Sequence, residues 1–177
     1  MTERLAAPLE QLIDRLVEAS NPPDEEARNQ LGEELAKLFR VKPDEVAILA
    51  VTRGGNFLQF IMPQQLRAIG TIPLNSTSAL AARTARDRRP EANNNFSVVR
   101  HASVFEGVPM GRKQGELIHK IMSAPIVCEN KVVGVVQISR KGHSTVDAGQ
   151  DFSQRDLRDL VDVSGSLGRF VLLFEEL

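Results

Sequence analysis

Few residues in this sequence have the type and spacing that covalent chemistry requires. Cys128 is the only cysteine among 177 residues, and it directly precedes a polar turn at 129–131. A thiol becomes a nucleophile when a base and a positive environment activate it, and the sequence shows no paired catalytic groups. We therefore interpret Cys128 as a small apolar strand residue and predict that the chain is not an enzyme. A thiol-dependent redox enzyme is the alternative with the least support.

The three histidines, His101, His119 and His143, are far apart in the sequence. No pair has the short spacing typical of metal ligands, and no cysteine or carboxylate completes a set. The pattern therefore predicts no metal site. His101 and His119 lie around an irregular segment, which keeps them as candidates for contact with a small ligand.

Positive charge is concentrated in the middle of the chain. Residues 53–120 hold ten Lys and Arg against four Asp and Glu, whereas the whole chain has a net charge of −1. Guanidinium groups suit phosphate and carboxylate, so an anion site is one interpretation and a solvated helix face is the other. A nucleic-acid partner is disfavoured, because the chain has no Tyr or Trp for base stacking. The arginines concerned are Arg83, Arg86, Arg88 and Arg89.

Length and composition predict one globular domain with flanking helices. The chain is 42% hydrophobic and 25% charged, which is ordinary for such a domain. Charged residues interrupt the first 16 residues, so we expect no signal peptide there. No apolar run approaches the roughly 20 residues that span a bilayer. With a single unpaired cysteine, these features predict a cytoplasmic protein that does not enter a membrane.

Apolar periodicity and turn residues predict the order of helices and strands. No regular strand–helix–strand crossover appears, so the sheet is predicted to be antiparallel and the fold class α+β. The predicted helices are 3–18, a second one that Asn21 caps and that ends before Pro43, 76–90 with Ser76 or Ser78 as cap, and a last one that begins after Ser153. The predicted strands are 45–51, 57–62, 69–74, 117–128 and 131–140.

The hairpin formed by 117–128 and 131–140 is apolar on both faces. In its second strand, Val133 and Val135 are predicted to face one way and Val132 and Val136 the other. An antiparallel strand that meets water on one side alternates apolar with polar residues, and this strand does not. The hairpin is therefore predicted to be central in the sheet. We expect the terminal helices to cover one face and residues 71–120 to form a lid over the other.

The first and last helices carry more apolar surface than one sheet face can cover. In the last helix, Ser153 and Asp156 have the spacing of a capping box. Pairing with a second copy of the chain would bury the surplus surface, and packing of the two helices on each other within one chain is the alternative. The predicted dimer-interface residues are Leu9, Leu12, Leu16, Leu167, Phe170 and Phe174.

Two stretches in the second half carry a resemblance to a known family. APIVCENKVVGVVQISRKG at 124–142, followed by FSQRDLRDLVDVSGSLG at 152–168, resembles the C-terminal half of a GAF domain. Upstream, residues 72–95 are similar to a further family segment, and the resemblance runs from about residue 24 to 175. The matching positions are Pro125, Gly134, Phe152, Ser153, Asp156 and Leu157.

The resemblance implies a regulatory or sensory module. Its expected fold is a GAF-like central antiparallel sheet, with the N- and C-terminal helices on one face and a loop and short-helix lid on the other. Residues 1–20 would form an N-terminal dimerisation helix and residues 21–177 the GAF-like domain. Because the chain leaves no room for an output domain, a homodimer would pass the signal to a separate signalling protein.

A pocket between the sheet and the lid is the expected ligand site. The ligand would be a small molecule, with an anion as one option, and no cofactor is identified. Bilin-binding members attach their chromophore to a lid cysteine, and the free methionine sulfoxide reductases of this fold use more than one cysteine; Cys128 alone fits neither. The alternative is an interaction or dimerisation module whose pocket is filled by Phe57, Phe60, Phe96 and Phe105. The predicted ligand contacts are Phe96, Arg100, His101, Phe105 and Arg83.

Overall fold

The computed structural model of the chain describes residues 2–19, 23–68, 70–96 and 117–174. Within these ranges two helices precede a series of strands and short helices, and a long hairpin precedes the last helix. The helices are α1 (Thr2–Glu18), α2 (Glu25–Phe39), α3 (Gln64–Arg67), α4 (Leu80–Asp87) and α5 (Gln154–Val171), with 3₁₀ turns at Pro43–Glu45 and Leu172–Phe174. The strands are β1 (Val46–Val51), β2 (Phe57–Met62), β3 (Thr71–Pro73), β4 (Glu91–Asn93), β5 (Leu117–Cys128) and β6 (Lys131–Gly142).

These strands form one antiparallel sheet in the order β3-β2-β1-β6-β5-β4. The two long strands are joined at Glu129 and Asn130, which both have positive φ, at 51° and 64°. Such a turn matches the twist of the two strands that it connects. Since β1 pairs with the other edge of β6, the hairpin is central in the sheet. The predicted α+β fold with an antiparallel sheet is confirmed.

Apolar layers cover both faces of the sheet. The helix-side core lies between the sheet and α1, α2 and α5, and the α4-side core lies between the sheet and the short helices α3 and α4. Val135 belongs to the α4-side core and its neighbour Val136 to the helix-side core, and both are fully buried. Burying one valine side chain contributes about 1.5 to 3 kcal/mol. The predicted double burial of the hairpin is therefore confirmed.

A β-bulge near the hairpin turn corrects one prediction. Val133 was predicted to share a face with Val135, but the pairing between β5 and β6 shifts by one residue between Ile126 and Val127. As a result Val133 packs against the helix-side core and Val132 against the α4-side core. An extra residue reverses the side-chain alternation beyond it, so a strict two-residue period assigned both side chains to the wrong face.

The first and last helices pack side by side within one chain. Arg169 Nη2 of α5 donates to Asp14 Oδ1 of α1 at 2.8 Å, and Ser166 of α5 donates to Glu10 of α1. Packing of the first and last helices on each other within one chain is the alternative to dimerisation that the sequence left open. In the described part of the chain, no helix is both long enough and apolar enough to cross a bilayer.

Two predicted helix caps were wrong. The cap of α2 is Asp24, whose Oδ1 accepts from the Ala27 backbone N–H at 2.8 Å, and Asn21 lies outside the described residues. Asp24 satisfies an N–H group that would otherwise lack a partner at the helix start. The N-cap of α4 is Ala79. Ser76 lies one turn earlier, where its Oγ accepts from the Ala79 backbone N–H at 3.2 Å.

The predicted capping box at the start of α5 is confirmed. Ser153 Oγ accepts from the Asp156 backbone N–H at 3.1 Å, and Asp156 Oδ2 accepts from the Ser153 backbone N–H at 2.8 Å. The carboxylate of Asp156 also lies at the positive end of the helix dipole. Together these contacts fix where α5 leaves the preceding loop.

We expect Ser153→Ala to lower the free energy of unfolding by about 1 kcal/mol. The alanine leaves the Asp156 N–H without its capping oxygen. Thermal and urea unfolding followed by circular dichroism measures the loss. Ser153→Asn retains a capping side chain and should remain close to the unmodified protein. An equal loss of stability in the two variants would contradict the role of Ser153 as the cap of α5.

Candidate functional site

Three polar side chains meet inside the α4-side core. Thr84 of α4, Ser123 of β5 and Gln137 of β6 are 2%, 0% and 2% exposed. The hydroxyl oxygens of Thr84 and Ser123 are 2.8 Å apart, and Gln137 Nε2 donates to Ser123 Oγ at 3.2 Å. Thr84 Oγ1 also donates to the backbone carbonyl oxygen of Leu80 at 2.9 Å. We call these three residues the polar chain.

The polar chain has a defined direction. Thr84 has one hydroxyl proton and donates it to Leu80. The short contact with Ser123 therefore has Ser123 as donor and Thr84 as acceptor. Ser123 Oγ in turn accepts from Gln137. Both hydroxyl groups are satisfied, as buried polar groups must be. The result is a directional hydrogen-bonded network that fixes the three side chains relative to one another.

The sheet register places the polar chain in the otherwise apolar α4-side core. Ser123 and Gln137 are direct cross-strand partners, so both project from the α4 side of the sheet. Thr84 lies one helical turn after buried Leu80, on the face of α4 that meets the sheet. Sequence reasoning missed the polar chain, although two polar residues inside apolar strands gave a signal for it. The surrounding apolar residues are Ala47, Leu49, Phe60, Phe96, Ile121 and Val135.

The predicted ligand contacts fall into three groups. Phe96 is buried in the α4-side core, the layer that contains the polar chain. Arg83 lies on the exposed side of α4. Arg100, His101 and Phe105 lie outside the described residues. Of the two predicted contacts that the structure describes, Phe96 lies in the same layer as the polar chain and Arg83 does not.

Two of the clustered arginines bind acceptors within the chain. Arg83 Nη2 donates to both carboxylate oxygens of Glu91 at 2.9 Å, which connects α4 to β4. Arg86 Nη1 donates to the backbone carbonyl oxygens of Leu74 and Ser76 at 2.5 Å. An anion that binds at Arg83 would therefore compete with Glu91. The exposed ion pair itself contributes at most about 1 kcal/mol to stability.

The predicted dimer-interface residues lie largely inside one chain. Four of them are buried in the helix-side core, so in this conformation they present no surface to a second copy. The other two are half-buried at its margin, and Phe174 packs edge-on against Phe170 with ring centroids 5.3 Å apart. The homodimer remains a prediction. The buried four are Leu9, Leu12, Leu167 and Phe170, and the half-buried two are Leu16 and Phe174.

Cys128 lies at the end of β5 and packs against α5. It is half-buried, and a Cβ atom added at Gly168 would lie 3.2 Å from Cys128 Cβ. The glycine therefore lets the helix approach the strand end closely. This position is on the helix side of the sheet, opposite the polar chain.

Comparison with known proteins identifies the fold. No protein-family model and no curated protein matches this sequence. The GAF domain from the Acinetobacter phosphoenolpyruvate-protein phosphotransferase aligns with a TM-score of 0.70 at 14% identity, over 97% of this chain and 93% of that one. The chain has the GAF fold. The A. aeolicus nlh2 GAF domain in an inactive state aligns with a TM-score of 0.59 at 15% identity, over 98% of this chain and 99% of that one.

The neighbours with the GAF fold also include an enzyme. The free methionine-R-sulfoxide reductase from Neisseria meningitidis, in complex with its substrate, aligns with a TM-score of 0.65 at 12% identity, over 98% of this chain and 89% of that one. The prediction that this chain is not an enzyme was wrong, because it excluded activity on the absence of paired groups around Cys128. The GAF fold occurs in enzymes as well as in regulatory domains. The absence of paired groups around Cys128 therefore does not exclude an enzymatic activity.

Proposed function

We propose that this chain is a regulatory GAF-fold domain that binds a small molecule on the α4 side of its sheet. The observation that carries the proposal is the polar chain of Thr84, Ser123 and Gln137, buried in an otherwise apolar layer. Ligand sites are mostly apolar with a few placed polar groups. The similar GAF domain from a phosphotransferase supports the regulatory role.

The groups of the polar chain favour one kind of contact. Its hydroxyl and amide groups carry no charge, so they suit a ligand's hydroxyl, carbonyl or amide group more than an ionised one. Phe60 and Phe96 in the same core suit an apolar or planar body. If the ligand has an anionic group, that group would have to lie closer to the exposed arginines of α4 than to the polar chain.

The hairpin gives a route from this site to the terminal helices. Ser123, Gln137 and Val135 face the α4 side, while Val136 packs in the core that contains α5. A ligand shifts the helices only if it binds one arrangement more tightly, and a tenfold preference amounts to about 1.4 kcal/mol. A homodimer, a separate signalling protein as partner and a cytoplasmic location are parts of this proposal.

The first experiment is native mass spectrometry of protein purified without denaturation. We expect a small-molecule mass increment that disappears when the protein is denatured. An unmodified mass, together with no increase in melting temperature across a broad metabolite panel, would contradict ligand binding.

The second experiment removes the middle hydroxyl of the polar chain. We expect Ser123→Ala to weaken binding of the identified ligand about tenfold, or about 1.4 kcal/mol, which lies within the roughly 1 to 3 kcal/mol that an unpaired buried polar group costs. Isothermal titration calorimetry measures this change. Ser164→Ala is the matched control, because Ser164 is also buried but donates to the Val161 carbonyl oxygen within α5. If the unmodified protein and both variants bound the ligand equally well, the ligand would have to bind away from the polar chain.

An interaction module without a ligand is the second candidate. Phe60 and Phe96 are both buried in the α4-side core, and aromatic side chains that fill this space favour that role. Phe57, which was expected to help to fill the pocket, is instead 42% exposed. The mass-spectrometry experiment separates the two candidates.

A further inference from the structure

A second candidate site lies on the helix side of the molecule. A cleft of about 300 Å³ opens between α2, the 3₁₀ turn Pro43–Glu45 and the end of β2 with α3. Arg28 and Asn29 of α2, Asp44 of the turn and Gln64 of α3 are among its lining residues. Its volume is at the lower end of those typical of small-molecule sites.

Two residues that line this cleft each have one buried side-chain atom without a hydrogen-bond partner. The two atoms are Arg28 Nε and Asp44 Oδ1, and over the ranges that the structure describes no other buried side-chain nitrogen or oxygen lacks one. Both residues line the same cleft. A buried polar group without a partner is destabilising, so one unfilled donor and one unfilled acceptor together indicate a polar occupant.

Neighbouring groups hold the Arg28 side chain, which is 10% exposed. Its Nη2 lies 3.5 Å from Glu25 Oε2, and its guanidinium carbon lies 5.7 Å from the centre of the Phe174 ring. Burial lowers the pKa of the Arg28 guanidinium below its ordinary value, and the nearby Arg67 adds to this shift. The guanidinium nevertheless keeps its proton. These neighbours therefore leave a buried cation whose Nε–H group has no acceptor.

Asp44 is held in a similar way. Lys141 Nζ donates to the Asp44 backbone carbonyl oxygen at 2.8 Å and lies 4.0 Å from Asp44 Oδ2. The other carboxylate oxygen, Oδ1, remains without a donor. Glu25 and Glu33 also line the cleft, so a positively charged group is favoured beside Asp44.

We propose that this cleft binds a small zwitterion of the amino-acid class, with its carboxylate on Arg28 and its ammonium group on Asp44. A guanidinium pairs well with a carboxylate, and an ammonium group carries the donors that a carboxylate needs. A molecule with both groups satisfies both unpartnered atoms and brings no net charge into the cleft. The site lies across the sheet from the polar chain and does not depend on it.

Calorimetry and melting temperatures of the full chain with the standard L-amino acids provide the test. We expect at least one amino acid to bind, and we then compare it with its amide, which lacks the carboxylate, and its N-acetyl derivative, which lacks the ammonium group. Each derivative should bind at least about tenfold more weakly, since each loses one charge-assisted hydrogen bond. No binding by any amino acid at millimolar concentration would show that the cleft holds solvent only and would overturn the proposal.

Variants locate the binding in this cleft. Asp44→Asn should weaken amino-acid binding about tenfold or more but leave the weak binding of the N-acetyl derivative unchanged, because that derivative has no ammonium group to lose. Glu34→Gln is the matched control, since Glu34 lies on α2 outside the cleft and pairs with Lys37. Unchanged amino-acid binding by Asp44→Asn, or loss of binding in Ser123→Ala instead, would overturn the site. The derivatives test the unmodified protein, so a variant that fails to fold does not remove the test.

Discussion

We expect Gly134→Ala to lower the free energy of unfolding by about 3 kcal/mol, the upper end of what overpacking usually costs. A Cβ atom at position 134 would lie 2.3 Å from the Leu49 carbonyl oxygen, and neither this backbone atom nor the paired strand can move away freely. Gly134 pairs with Ala50 of β1, so the clash would separate two central strands. Urea unfolding followed by circular dichroism measures the loss, because the chain has no Trp or Tyr for fluorescence.

Gly165→Ala is the matched control for this prediction. Gly165 lies in the exposed face of α5, and an added Cβ atom there meets nothing within 4 Å. The same substitution should stabilise the protein by roughly 0.5 to 1 kcal/mol, since alanine favours a helix over glycine. If the two variants had the same stability, the inference that β1 and β6 approach too closely for a Cβ atom at position 134 would be wrong.

We expect Glu45→Ala to lower the free energy of unfolding by about 3 kcal/mol, because it removes the acceptor of one buried and one part-buried backbone N–H group. Glu45 is 6% exposed. Its Oε1 accepts from the Lys42 backbone N–H at 2.9 Å, and its Oε2 accepts from the Lys141 backbone N–H at 2.6 Å. The carboxylate thus fastens the turn before β1 to the end of β6, and alanine would leave both N–H groups unpaired.

The matched variant here is Glu45→Gln. Its amide keeps one acceptor oxygen and replaces the other with a donor, so we expect a loss between those of the unmodified protein and Glu45→Ala. Unfolding in urea, monitored by circular dichroism, ranks the three proteins. A glutamine variant as unstable as the alanine variant would mean that the two backbone contacts do not contribute separately.

Long elements with a strong apolar pattern could be predicted from the sequence. The hairpin was predicted because β5 and β6 are apolar on both faces over many residues, and α5 because Ser153 and Asp156 mark its start. The bulge at Val132 and Val133 could not be predicted, because one extra residue changes the face of a side chain without changing the composition. The elements α3 and β4 have four and three residues, too few for a period to show.

The candidate sites were less predictable than the fold. Ser123, Gln137 and Thr84 are ordinary polar residues in the sequence, and only the pairing of β5 with β6 and the placement of α4 bring them together. Arg28 looks like any charged residue near the start of a helix, and its burial depends on the turn and strand end packed beside it. The prediction included Arg83 of α4 among the ligand contacts, yet Arg83 pairs with Glu91.

The adjacent positions of Val135 and Val136, one in each apolar layer, have a consequence for cooperativity. Melting either layer alone would leave one side of β6 in water while the other side is still packed, so neither layer can be lost without weakening the other. The two halves of the domain therefore unfold as a single unit, close to two-state behaviour.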